Sequence, residues 1–172
     1  MTVTIELATG SPYEAKIRDR LLGLLARYDL RKWQFTDRVR VEANAPSHSH
    51  PVLTLTARFA TDELLLSTYL HEQLHWFTLT RGTAAVEEEW RRLYPDAPAD
   101  YPEGCGSRYS TYLHFTIAYF EYRALLDLLG TEAARRVIED KIERPYYRAV
   151  YRAALHDFDR MTAVVTRHGL AL

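Results

Sequence analysis

The feature that most constrains the fold of this chain is the apolar segment 69–77, in which Glu72 is the only Lys, Arg, Asp or Glu. The two histidines of the segment, His71 and His75, lie four residues apart. Residues at that spacing project from the same face of an α-helix. A helix that is apolar around most of its circumference has to be covered by other parts of the chain. The segment therefore predicts a buried helix that holds two imidazoles side by side.

Two imidazoles on one helix face can bind one metal ion, and this spacing of histidines is typical of zinc. Glu72 lies about 100° round the helix from His71, beside such an ion rather than on it. A carboxylate in that position can hold a water molecule and act as a general base, and zinc lowers the pKa of the water to about 7. The pattern favours a zinc site over the alternative, an amphipathic helix with two hydrogen-bonded core histidines.

A catalytic zinc usually has three protein ligands, and the residues just after the motif offer no third histidine. A long helix predicted from about 107 to 129 carries His114 and Glu121, which share one face but lie about 10.5 Å apart along the axis. Because one ion cannot easily reach both, we favour Glu121 as the third ligand and His114 as a group that stabilises the transition state. The alternatives are the reverse assignment, and a surface ion pair of Glu121 with Arg123 or Arg152.

The combination resembles the zincin superfamily of metallopeptidases, and within it the gluzincin type. That type has His-Glu-x-x-His on one helix and a glutamate ligand on a later helix. The matching residues here are His71, Glu72 and His75, with Glu121 as the later glutamate. The resemblance implies a sheet ahead of the active-site helix, with an edge strand that pairs with an extended substrate, and residues 52–58 stand where that strand would be. The chain is also similar to small bacterial zinc-metallopeptidase-like proteins.

The periodicity of the whole chain predicts one α+β domain over residues 1–172. A small N-terminal mixed sheet with helices is followed by a helical C-terminal part. This order of elements resembles that of the zincins. Strands are expected at 2–7, 33–43 and 52–58, and helices at about 12–28, 61–79, 83–93, 107–129, 131–139 and 145–168.

Composition limits the partners. The formal net charge is -1 and the pI about 6.7, so no global basic surface exists and no nucleic-acid partner is expected. Apolar runs are too short for a membrane span. The single cysteine, Cys105, cannot form an internal disulfide, which fits a cytoplasmic protein, and we expect it to have no chemical role. His48 and His50 lie in a polar loop that we expect to be solvated. The oligomeric state stays open.

These observations together predict a zinc-dependent hydrolase that cleaves a peptide or amide bond in a peptide or protein substrate. Glu72 would be the general base, and His114 or a tyrosine would stabilise the oxyanion. One alternative is a non-catalytic zinc-binding or partner-binding domain on a zincin scaffold. A second is a structural α+β protein that binds no metal.

Overall fold

The computed structural model describes residues 2–170 and residue 172. By its internal contacts the chain forms two compact units, residues 1–77 and 78–172. The α+β class is confirmed, with a small N-terminal sheet and a helical C-terminal part. The single domain that the sequence favours stays a prediction.

The elements follow the predicted order. The first unit contains β1 (Thr4–Leu7), α1 (Pro12–Arg27), a short 3-10 helix (Arg31–Trp33), β2 (Arg38–Glu42) and β3 (Leu53–Thr56). Helix α2 (Asp62–Arg81) crosses residue 77. The second unit contains α3 (Ala84–Leu93), α4 (Arg108–Leu129), α5 (Thr131–Glu143), α6 (Arg148–His156) and α7 (Phe158–Arg167).

The start of α1 is set by a capping box. The Ser11 side chain accepts a hydrogen bond from the Glu14 amide, and the Glu14 carboxylate accepts one from the Ser11 amide. Glu14 also accepts bonds from the amides of Thr9, Gly10 and Ala43. Because Ala43 directly follows β2, this one buried carboxylate connects the helix to the end of a strand.

The sheet of the first unit has the strand order β1-β2-β3, and both strand pairs are parallel, so the prediction of a mixed sheet was wrong. Helix α1 packs on β1 and β2, which makes β1, α1 and β2 a β-α-β unit. The connection from β2 to β3 is ten residues long, and an antiparallel bridge joins His48 of this connection to Thr54 of β3. Val39, Val41, Leu53 and Leu55 are fully or almost fully buried, so the middle of the sheet belongs to the core.

In the second unit, α4 packs against α3, α5 and α6. The segment 145–168, predicted as one helix, is two helices with a break at Asp157. Aspartate favours turns and helix ends over helix interiors, and here its carboxylate accepts a hydrogen bond from the Tyr94 hydroxyl. The first of these helices begins at Arg148 rather than Pro145, because Tyr147 has a left-handed backbone with φ of 64°.

Among the helices formed by the described residues, none combines the length and the apolar composition that crossing a membrane requires.

Candidate metal centre

The rotation of α2 about its axis is fixed by Gln73, whose side chain is fully buried. Its carbonyl oxygen accepts hydrogen bonds from the amides of Phe35 at 2.7 Å and Thr36 at 2.9 Å. Its amide nitrogen donates to the Thr36 carbonyl at 2.9 Å and to the Tyr69 hydroxyl at 3.0 Å. A residue two positions from a histidine lies about 200° round the helix. His71 therefore projects from the face of α2 opposite the loop at residues 34–36.

On that face the two motif histidines are neighbours. The ring centroids of His71 and His75 lie 5.2 Å apart with an interplanar angle of 69°. His71 and Glu72 are each 6% exposed, and His75 is half-buried. The buried helix predicted from the sequence is confirmed, with fully buried Leu70 and Leu74 beside the motif. Two imidazoles and a carboxylate are thus held in surroundings from which most water is excluded.

The loop that carries the other histidine pair lies against α2. The Trp76 indole donates a hydrogen bond to the Ser49 carbonyl at 3.0 Å, and the His50 ring stacks on Trp76 with centroids 4.3 Å apart. Partial burial lowers the pKa of His50. The His48 ring bonds to the Pro46 carbonyl at 3.0 Å. His50 is exposed and His48 half-buried, and the contacts of both rings are with their own loop or with Trp76.

His114 lies on α4 and is 4% exposed. Its Nδ1 lies 2.7 Å from the Ser110 carbonyl oxygen, one helical turn earlier, and 3.3 Å from the Ser110 hydroxyl. A carbonyl oxygen can only accept, so Nδ1 is the donor in this contact, and in the neutral tautomer that fits it Nε2 carries the lone pair. Metal-bound histidines are commonly oriented by this kind of bond from the other ring nitrogen. The Tyr147 ring, 4.6 Å away between centroids, covers His114 on another side.

Three histidines come together in the structure. One ring nitrogen each of His71, His75 and His114 lies within 4.8 Å of the other two, a grouping that could hold a metal ion. Zinc–nitrogen bonds of 2.0–2.1 Å in a tetrahedral site place ligand atoms about 3.4 Å apart. Shifts of about an ångström in ring position would bring these atoms to that spacing. The residues present therefore fit a three-ligand site for a metal that accepts imidazole nitrogen.

Glu121, which the sequence favours as the third ligand, is not part of this group, and the structure gives its carboxylate other partners. Lys141 Nζ lies 2.5 Å from Oε1, and the Tyr151 hydroxyl donates to Oε2 at 2.9 Å. Glu121 is fully buried and the Lys141 side chain is 9% exposed. Glu121 is fully buried, so it does not fit the surface pairs considered as alternatives, and Arg123 pairs with Asp127 and Arg152 with Glu103. Of the two candidates on α4, the described residues group His114 with the motif histidines.

Burial raises the pKa of Tyr151 well above its usual value, and the nearby Glu121 carboxylate raises it further. The hydroxyl is therefore protonated at neutral pH and donates to Glu121. Lys141 Nζ donates to Tyr151 as well, at 3.1 Å. The three side chains bond to one another in a triangle of charge-assisted hydrogen bonds that joins α4, α5 and α6.

Burial also raises the pKa of Cys105, with a partly offsetting hydrogen bond from Thr111, to about 12. Its thiol is free of disulfides and protonated at neutral pH. A protonated, buried thiol is a poor nucleophile and a poor metal ligand.

The sequence reasoning missed the partners of Glu121 and His114, the two candidate residues on α4. Lys141 could have been found, because it follows Ala134 and Ile138 at helical spacing and so lies on the buried face of α5. The contact of Tyr147 with His114 has no signal in the sequence, because 32 intervening residues separate the two rings. The bond from His114 to Ser110 is a local helical contact, but serine at that spacing is too common to indicate it.

The fold and the site define an α+β protein with a largely buried three-histidine group on two helices. Comparisons of the chain with protein-family models, with curated proteins and with solved structures found no match.

Proposed function

We propose that this protein is a zinc-dependent hydrolase that cleaves a peptide or amide bond, with His71, His75 and His114 as the metal ligands. The observation that carries the proposal is the convergence of three imidazole nitrogens within 4.8 Å beside a buried glutamate. Three neutral imidazoles suit zinc among the common metals, and a catalytic zinc keeps its fourth position for water.

The state of His114 supports its place in the ligand set. A metal ligand has to present an unprotonated nitrogen, and a protein usually selects the tautomer through the other ring nitrogen. The 2.7 Å contact from Nδ1 to the Ser110 carbonyl oxygen does so for His114. Glu121, by contrast, would have to leave a buried lysine and a buried tyrosine hydroxyl in order to bind a metal. That exchange would strand a buried cation, which is unfavourable.

Bound zinc would supply a water of pKa about 7 and would polarise the carbonyl that is attacked. Glu72 is adjacent in sequence to His71 and 6% exposed, and it carries the proton chemistry in this proposal. Its carboxylate accepts the proton of the attacking water and passes it to the nitrogen of the leaving amine. Burial keeps competing water away from that transfer. A cytoplasmic location is part of the proposal, supported by the single cysteine.

Metal analysis tests the ligand set. Protein purified without chelators should contain one zinc per chain, measured by inductively coupled plasma mass spectrometry. His114→Ala should lower the zinc affinity by more than the roughly 10–100-fold typical for loss of a supporting residue. The control is the double variant Glu121→Gln with Lys141→Met on the same pair of helices, which removes both charges of the buried pair and should leave the affinity within about threefold. Absence of stoichiometric zinc from the wild type, or a larger effect of this double variant than of His114→Ala, would overturn the ligand assignment.

Turnover tests the reaction. A mixed peptide library analysed by mass spectrometry should show cleavage by the zinc-loaded wild type and none by Glu72→Gln, although this variant should keep its zinc. Normal activity of Glu72→Gln would contradict the role of Glu72. Stoichiometric zinc without cleavage of any peptide would indicate instead a non-catalytic zinc-binding domain.

A further inference from the structure

Three tyrosines of the second unit form a continuous aromatic surface that ends at His114. We call Tyr101, Tyr146 and Tyr147 the tyrosine surface. Tyr147 lies 6.0 Å from Tyr101 and 5.5 Å from Tyr146 between ring centroids, and 4.6 Å from the His114 ring. Tyr101 is 56% exposed and Tyr146 is 42% exposed. Large aromatic side chains are seldom left exposed together unless they serve a contact.

The backbone under the tyrosine surface is held in one conformation. Tyr147 has a φ of 64°, which is costly for a residue with a bulky side chain. Three backbone hydrogen bonds hold this turn against the loop that contains Tyr101. The amides of residues 147, 148 and 149 donate to the carbonyls of residues 104, 102 and 103 at 3.3, 3.2 and 3.0 Å. A strained residue kept in place by several contacts is a common feature of ligand sites.

Tyr101 is itself positioned by a close approach to the backbone. A Cβ at Gly106 would lie 3.3 Å from the Tyr101 ring, and Gly106 has a φ of 85° that favours glycine. The ring therefore rests with one side on the backbone of Gly106 while more than half of the side chain faces solvent. A ring fixed in this way loses little conformational entropy when a ligand stacks on it.

We infer that the tyrosine surface receives an apolar or aromatic side chain of the substrate, next to the bond on which the three-histidine group acts. This inference rests on the proposed function and adds a substrate class to it. We assign substrate binding to the tyrosine surface because its Tyr147 ring contacts His114. Of the charged neighbours, Glu103 and Arg152 pair with each other, and Arg144, which bonds to Tyr146, also pairs with Asp140. Apolar stacking is therefore the main attraction that the ring faces offer.

Binding of zinc-chelating amino-acid hydroxamates tests the inference without requiring turnover. Phenylalanine hydroxamate and glycine hydroxamate carry the same chelating group and differ in the benzyl side chain. Titration calorimetry on the zinc-loaded protein should show the phenylalanine compound binding at least about tenfold more tightly, the effect of partly burying one aromatic ring. Tyr101→Ala and Tyr146→Ala should each reduce this ratio to below about threefold, and Tyr101→Phe should keep it.

The matched control is Tyr13→Ala, which removes an exposed tyrosine from α1 and should leave the ratio unchanged. Lysine hydroxamate separates apolar stacking from cation–π attraction, and tighter binding of it than of the phenylalanine compound would overturn the inference. Equal binding of the phenylalanine and glycine compounds would also overturn it while leaving the zinc site intact. If the protein binds the phenylalanine compound more tightly but cleaves no peptide, the binding role of the tyrosine surface would stand and the proposed peptidase activity would be refuted. Failure of every hydroxamate to bind would overturn the metal site and the inference together.

Discussion

Replacement of Lys141 by methionine should destabilise the protein strongly, because it removes the cation from a buried ion pair. Glu121 is fully buried and its carboxylate is bonded to Lys141 at 2.5 Å and to Tyr151 at 2.9 Å. Removing one partner of a buried pair costs about 3–5 kcal/mol. The stranded carboxylate can instead take up a proton, which at pH 7 costs about 3.7 kcal/mol for a group of ordinary pKa about 4.3. We therefore expect a loss of about 3–4 kcal/mol in the free energy of unfolding at pH 7.

For a chain of this length that unfolds cooperatively, the entropy of unfolding is about 0.36 kcal/mol per kelvin, so Tm should fall by about 8–11 °C. The sign of the pH dependence follows from the same reasoning. In the variant, protonation of Glu121 becomes cheaper as the pH falls, so at pH 5 the loss should shrink to about 1 kcal/mol. Urea unfolding followed by tryptophan fluorescence, at pH 7 and pH 5, measures both values.

Two further variants make this result specific. Arg135→Met removes an exposed ion pair with Glu139 and should cost less than about 1 kcal/mol. The double variant Lys141→Met with Glu121→Gln should recover most of the loss, because no buried charge remains and Tyr151 still has an acceptor. A loss below about 1 kcal/mol in the single variant at pH 7, or a double variant no more stable than the single one, would refute the buried ion pair as described.

The remaining predictions concern the two units and the metal. Gln73→Leu strands two backbone amides and should cost about 2–4 kcal/mol in urea unfolding, and a cost below about 1 kcal/mol would contradict the anchoring role. Burial raises the pKa of Glu14, but the hydrogen bonds that its carboxylate accepts together have the larger effect and lower the pKa below 4.5. The ionised Glu14 therefore stabilises the fold above pH 4.5, and this stabilisation is lost as the pH falls through the lowered pKa. Acid unfolding of Glu14→Gln should therefore be shallower than that of the wild type. Zinc at 100 times its Kd should add about 2.7 kcal/mol, a gain that EDTA and His114→Ala should both abolish in thermal unfolding.

Local signals predicted the elements and failed where the backbone depends on tertiary contacts. The capping box at Ser11 and Glu14 placed the start of α1 correctly, because both partners lie within one helical turn. The helix predicted for residues 145–168 was wrong as a single element. Its true start depends on backbone bonds from the turn at Tyr147 to the loop at 102–104, and its break depends on Asp157 pairing with Tyr94. These contacts join residues more than 40 positions apart, which no periodicity encodes.

In the candidate site, too, the sequence predicted the local part and could not predict the part that depends on tertiary contacts. His71 and His75 lie on one helix, so their spacing alone places them together, and the sequence identified them for that reason. The choice between His114 and Glu121 is of another kind. Two residues seven positions apart lie on nearly the same face of an α-helix but about 10.5 Å apart along its axis. Helical geometry therefore allows either His114 or Glu121 to reach a bound metal, but not both at once. In the proposed site the choice follows from what lies beside each end of that face: Lys141 from α5 and Tyr151 from α6 already bond to the Glu121 carboxylate, and the Ser110 carbonyl accepts a hydrogen bond from Nδ1 of His114. A carboxylate already paired with a buried lysine would gain little from zinc, whereas an imidazole with its proton on Nδ1 would present Nε2 to the ion.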